Sequence, residues 1–352
     1  MKKIIIILSC LFFLSGCNYL DLTDIGIISL MAIKYENNKY NLILELRENI
    51  KSDEEASIIY QASDTSLEKA FEQIATSIDR TLYLIDLNII LIDSNTINSK
   101  LPTILDYFTR DNMIGTNFNI IVDNNPEETI KLINSKEKIA GEYIMNIFDN
   151  RDNNVINNKY EEFLKDYMNE FKDIILPVGS IENNNYFIKE AIIFSDNKIV
   201  GYLPFNMVET YNLLNNTPTN YYYQIDYNGK SLVYKVSSNK TKIKYQNNRI
   251  NIDVKLNGSF IEIEDTNITD KKIEKELTNI LNNKIKLEID NLINKCLQSN
   301  SDILGFKKAY FNKQRTKLES IYSLKYTINI ETKINREGLI FNSLGDIYEN
   351  NK

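Results

Sequence analysis

Three close pairs of carboxylates, Glu54 with Glu55, Glu161 with Glu162 and Glu262 with Glu264, are the side chains of this 352-residue sequence best suited to passing protons. An acid and a base held at a fixed separation can cleave a glycosidic bond. Acids one or two positions apart on a helix or an exposed strand, however, are solvated surface. Ser180 and Ser259 each follow a glycine, but neither has the Gly-x-Ser-x-Gly spacing of a nucleophile elbow. The sequence contains no His, which removes the ordinary base near neutral pH, the partner of a catalytic Ser or Cys and the commonest zinc ligand. There is also no glycine-rich phosphate loop, metal-ligand cluster or dinucleotide fingerprint. The expectation is a protein that is not an enzyme and holds no cofactor and no metal. Tyr221, Tyr222 and Tyr223 offer a platform for a sugar or a peptide, but three aromatics opening a strand more often turn one or two rings inward.

The best-defined chemistry is that of Cys17. Met1, Lys2 and Lys3 precede an apolar run over 4–14, followed by Leu14, Ser15, Gly16 and Cys17. This is the layout of an export signal, here 1–16, and a run of about eleven residues falls well short of the roughly twenty that span a bilayer. The Leu-Ser-Gly-Cys order resembles the bacterial lipobox, in which the Cys takes a diacylglycerol and becomes the new N-terminus. Two or three acyl chains hold a protein stably where one would not. Cys10 leaves with the signal, so Cys296 is the only other thiol and no intramolecular disulfide is expected.

The formal charge is −7, and loss of Lys2 and Lys3 makes the mature chain more acidic. An acidic chain with no basic stripe interleaved with aromatics is a poor ligand for nucleic acid. By the same reasoning it gains nothing from the surface charge of an anionic membrane, leaving the lipid as the anchor. Asn runs such as 183–185 read as a compositional bias.

These residues need elements to hold them. Alternating apolar runs at 25–33 and 40–46 around Asn37-Asn38 predict a hairpin. Thr65 with Glu68 forms a capping box for a helix whose Leu67, Ala70, Phe71, Ile74 and Ile78 share one face. Strands follow at 82–92 and 117–122, with helices at 101–108, 141–150 and 159–172 and another opened by Pro126. The polar stretch 149–158 reads as a linker or exposed loop. A second hairpin surrounds Asp196-Asn197, and 221–264 is strand-rich with turns at Asn228-Gly229 and Asn257-Gly258. From a cap at Thr269, Ile273, Leu277, Leu281, Ile285, Ile289, Leu292 and Cys296 advance by three or four, drawing one apolar stripe along a long helix. That helix needs a sheet to cover, supplied by the strands before it and by 324–334. The fold class is therefore α+β, with two to three domains, each a mixed or antiparallel sheet packed by helices. The division is 17–185, with a break near 149–158, and 186–345.

Several stretches in fixed order resemble the C subunit of spore germinant receptors, the Ger(x)C family of lipoproteins in endospore-forming Bacillota. Asp21 to Gly26 fit its acidic lead into a glycine-bearing strand, although Asn18 stands where the family has Trp. The stretches 62–70 and 105–111, the latter ending Phe108-Thr109-Arg110-Asp111, are similar to family segments, as are 201–203 with Glu209 and Thr210. The strongest likeness is 258–262, the long helix, and then Ser301-Asp302-Ile303-Leu304-Gly305-Phe306. The resemblance implies three α+β domains on the outer face of the spore inner membrane, anchored by lipid on Cys17. The partners it implies are a partly membrane-embedded A subunit and a transporter-like B subunit. It marks Arg110, Asp111, Glu262, Asp302, Gly305 and Phe306 as interface or structural positions. The residues 302–306 also fit a helix stop with Gly305 left-handed. Apart from the resemblance, an anchored non-enzyme fits a substrate-binding lipoprotein of a transporter.

Overall fold

The computed structural model describes residues 24–48, 56–110, 114–150, 152, 154–263 and 270–335. Cys17, Glu54, Glu55, Asp111, Glu264 and Thr269, all singled out above, lie outside these. The described residues begin with β1 (Ile25–Glu36), β2 (Lys39–Glu48) and β3 (Ala56–Asp64), an antiparallel meander. Then come α1 (Leu67–Ala75), β4 (Thr81–Tyr83), β5 (Ile89–Ile92), α2 (Ser94–Arg110) and β6 (Asn119–Val122). Three helices, α3 (Pro126–Asn134), α4 (Ala140–Asp149) and α5 (Tyr160–Tyr167), lead to β7 (Ile175–Glu182), β8 (Asn185–Ser195) and β9 (Lys198–Leu203). The larger sheet has the order β3-β2-β1-β5-β6-β7-β8-β9, with β4 alongside β1. Its centre is parallel and its flanks antiparallel.

The smaller sheet follows α6 (Phe205–Leu214). It comprises β10 (Tyr221–Tyr227), β11 (Lys230–Gln246), β12 (Arg249–Ile263) and, after α7 (Lys271–Gln298) and α8 (Phe306–Gln314), β13 (Tyr326–Ile334), in that order. The α+β class and the long amphipathic helix are as expected. In α7, Leu277, Leu281, Ile285, Ile289, Leu292 and Cys296 are buried as the stripe requires, and Asp270 caps it by accepting from the Lys272 amide at 2.7 Å.

Helices α1, α2 and α5 cover one face of the larger sheet, where Ile28, Leu44, Ile90, Phe118 and Phe194 are buried. On the other face, α3 and α4 cover Leu30, Ala32, Leu91 and Ile121. A third core joins Ile175, Ala191, Ile193 and Leu203 of the larger sheet to α6, α7 and the inner face of the smaller one. The two sheets thus share buried surface. The sequence division at 185/186 falls in the β7–β8 hairpin, where Ile181 pairs with Tyr186. The centre of 149–158 is not exposed, since Val155 and Ile156 are buried in two different cores.

Several local expectations need correction. The cap of α1 is Ser66, whose Oγ accepts from the Lys69 amide at 3.2 Å, one residue later than the Thr65 box. The single strand at 82–92 is two, β4 and β5, paired with different parts of β1. Asn183 and Asn184 are not mere composition: both are left-handed (φ 48° and 60°) and form the turn between β7 and β8. Asn257-Gly258 is no turn, because β12 runs through it, and the hairpin turns instead at Asn247-Asn248. Glycine is required at 258 by close packing, since a Cβ there would collide with the Lys235 carbonyl and the Tyr234 ring.

One buried charge organises the first half. Glu45 is fully buried in β2, and its carboxylate accepts from Ser29 Oγ at 2.8 Å, Ser57 Oγ at 2.9 Å and the Ala140 and Gly141 amides, both at 2.8 Å. The last two donors are the open amides of α4, whose own cap position, Ile139, has no side chain able to accept. A buried carboxylate is tolerable when so fully bonded.

Candidate functional site

The segment 301–306 is the best-formed polar cluster that the sequence singled out. α7 ends at Gln298, and Asn300 turns left-handed (φ 48°). Ser301 then donates its amide to the Cys296 carbonyl at 2.9 Å and its Oγ to the Phe194 carbonyl of β8 at 2.5 Å. The next residue, Asp302, exchanges backbone bonds with the loop before β7. Its amide donates to Asp173 Oδ2 at 2.6 Å, and its carbonyl accepts from the Asp173 amide at 3.1 Å. Its carboxylate accepts from the Phe306 amide at 2.8 Å and the Lys307 amide at 2.7 Å. Gly305 is left-handed (φ 72°), as expected, and Ile303 and Phe306 are buried. The expected helix stop is corrected, because this turn starts α8 rather than ending α7. Asp302 supplies the N-terminal cap from three residues before Gly305.

Burial pushes the Asp302 carboxyl up to about 7, against the pull of its two amide donors. Burial likewise raises Asp173 and lifts the Cys296 thiol to about 12. A thiol held that high is no nucleophile. The junction clamps α7 and α8 to one end of the larger sheet, and Gly201, another family-like position, belongs to it, since a Cβ there would meet Ser299 Oγ at 2.9 Å. Asp173 was not legible in the sequence, because a carboxylate that receives a backbone amide far along the chain leaves no local pattern.

The other expected positions lie apart. Arg110 is exposed at the end of α2 and pairs with Asp106 one turn earlier at 2.8 Å. Glu262 is exposed on β12 opposite Val233. Glu161 and Glu162 are solvent-facing on α5, as their adjacency implied. In the tyrosine run, Tyr221 and Tyr223 are buried and Tyr222 is exposed, so no aromatic platform forms. A polar cleft of about 760 Å³ opens beside the carboxyl ends of β1 and β6, lined by Lys34, Glu36, Asn41, Glu127 and Lys131. Its lysines are neutralised locally, Lys34 by Glu36 at 2.9 Å and Lys131 by Glu127 at 2.6 Å. Among the described residues no group of three or more acids or thiols is placed to hold a metal.

Glu209 of α6 provides a test of the electrostatics. Burial, followed by repulsion from Glu288 of α7, raises its carboxyl to about 7. An acid raised on folding contributes stability that is complete below its unfolded value near 4.5 and is lost as pH rises through about 7. Glu209→Gln is therefore expected to match wild type near pH 5 and to be more stable by ~1–2 kcal/mol at pH 8, after allowing for solvent screening of a half-buried group. Thermal melts at the two pH values check this, and equal shifts at both would contradict it.

Comparison with known proteins places these features in a family. Residues 18–181 match the family model described as spore germination protein N-terminal domain, and 189–338 match that described as spore germination B3/GerAC like, C-terminal. The fold is similar to the crystal structure of the GerBC protein, with a TM-score of 0.55 over 86% of this chain and 96% of that one, at 15% sequence identity. No curated protein sequence matches significantly.

Proposed function

This chain belongs to the spore germination B3/GerAC-like family, and from that premise we propose that it is a lipid-anchored, non-catalytic C subunit of a spore germinant receptor, required for nutrient-triggered germination through assembly with membrane subunits. The observation that carries the reading is the match of two germination-protein domains, in order, over nearly all of the chain beyond the signal. The partners are an A subunit and a transporter-like B subunit, and the site of action is the outer face of the spore inner membrane. No helix among the described residues is long and apolar enough to cross a membrane. Attachment is assigned to the lipid on Cys17, seven residues before Asp24 and so on a tether of at most about 25 Å.

The proposed site residues divide by exposure. Arg110 and Glu262 are open to a partner, and Asp111, next to Arg110 in sequence, is proposed to act with it. Asp302, Gly305 and Phe306 are proposed to hold the junction together rather than to touch another subunit.

In a spore former, the mature protein is expected to carry a diacylglycerol on Cys17 by mass spectrometry and to crosslink to a polytopic membrane protein. Cys17→Ala should leave the membrane fraction and lose that crosslink. An unmodified Cys17 would refute the anchor, and a lipidated protein that captures no polytopic partner would refute the assembly.

A further inference from the structure

The acidic net charge conceals a basic surface. The smaller sheet is covered on its inner face by α7 and α8, while its outer face is bare among the described residues. On β11 the outward positions Lys240, Lys242 and Lys244 alternate with the inward-facing Thr241, Ile243 and Tyr245, so three exposed lysines line up about 7 Å apart. Across the ladder, Lys255 and Arg249 of β12 and Lys333 of β13 point the same way. The carboxylates among them are Asp253, which accepts from Asn329 at 2.8 Å, and Glu331, which pairs with Lys255 at 2.5 Å. Over 238–246, 249–257 and 326–334 of this face six cations thus meet two acids, while the rest of the face carries Lys235 against Asp226 and Glu262, in a chain whose formal charge is −7. Lys240 stands directly opposite Lys255, whose charge Glu331 answers, so the row of Lys240, Lys242 and Lys244 has no carboxylate directly across the ladder other than Asp253.

The position of this face matters as much as its charge. β1, β5, β6 and β7 run parallel, so Ile25 and Ile175 open strands at the same end of the larger sheet. Asp173 at that end is bonded to Asp302, which caps α8. Tyr310 of α8 packs against Tyr245 of β11, ring centres 4.8 Å apart. Ile25 thus opens β1 at the same end of the larger sheet as the junction that holds α8 against the inner side of β11.

We propose that the open face of the smaller sheet, through Lys240, Lys242, Lys244, Arg249, Lys255 and Lys333, lies against an anionic phospholipid surface. Lysines near such a surface are attracted by its potential over about a Debye length, independently of any acyl chain. A face held in this way would fix the orientation of the protein on the surface, which a single point of lipid attachment does not specify. The inference stands on charge placement and does not require the receptor assignment.

The test uses the mature chain from residue 18, which contains every described residue and carries no acyl group. It is mixed with vesicles of phosphatidylcholine alone or with 30% phosphatidylglycerol (about one lipid in three anionic) and sedimented. Wild type is expected to bind the anionic vesicles at least about tenfold more tightly than the neutral ones and to release them when salt is raised to about 0.5 M. The triple variant Lys240→Glu, Lys242→Glu, Lys244→Glu should lose that preference while keeping its melting temperature. Reversing Lys271, Lys272 and Lys275, at the amino end of α7, makes the same change in net charge and should leave binding intact. Equal binding to both vesicle types, or equal loss in both triple variants, would overturn the proposal. Binding of wild type to an acidic polypeptide but not to anionic vesicles would overturn it in favour of a protein partner.

Discussion

Leu281→Asp is expected to abolish cooperative folding. Leu281 is fully buried midway along α7, with Leu277 and Ile285 one turn to either side on the same stripe. Removing a buried leucine side chain costs about 2–5 kcal/mol, and leaving an unpaired carboxylate in its place adds several more. The sum reaches the whole stability of a typical domain, about 5–15 kcal/mol. Because this core includes Ile175, Ala191, Ile193 and Leu203 of the larger sheet, the damage should spread beyond the smaller one. The variant should be insoluble, or lack a cooperative melt by near-ultraviolet circular dichroism. A soluble variant melting at the wild-type temperature would show that the stripe is not buried.

Asp302→Ala is the second large effect. It leaves the Phe306 and Lys307 amides without acceptors in a buried turn and uncouples the start of α8. Loss of such a cap, with buried donors left unpaired, is worth about 2–4 kcal/mol. For a chain of this size that is a fall in melting temperature of roughly 3–6 °C. Asp302→Asn keeps one of the two acceptors and should fall between alanine and wild type. The junction account fails if Asp302→Ala melts with wild type, and more sharply if such a variant is stable yet inactive, since Asp302 would then act on a partner.

The parts of this fold legible in the sequence are those set by local chemistry. Asn37-Asn38, Asp196-Asn197 and Asn228-Gly229 mark hairpins because their residues accept the left-handed backbone that such turns need. The apolar spacing of α7 is legible for a similar reason, as a single face repeated over many turns leaves no competing pattern. Asn257-Gly258 carries the same turn signal as Asn228-Gly229, but there the glycine answers to the Tyr234 ring across the sheet, a contact that only the pairing of β11 with β12 creates. Helix α8 was hidden because only Phe306 among its residues is buried, leaving no stripe to read. Gly305 was legible as left-handed, yet whether it ended one helix or began the next depended on Asp173, far away in sequence. Glu45 lies in a strand whose alternation reads as one wet face, and its burial follows from the packing of α4. Net charge misled in its own way: a sum over the chain carries no record of which face each lysine occupies.

The central claim is that this chain is a working subunit of a germinant receptor, and germination of a deletion strain tests it most directly. In a spore former stripped of its other receptor operons, deleting this gene should leave sporulation intact and germination by receptor-independent routes normal. Germination in response to nutrients should be abolished, and a wild-type copy should restore it. Normal nutrient germination by the deletion strain would contradict the assignment.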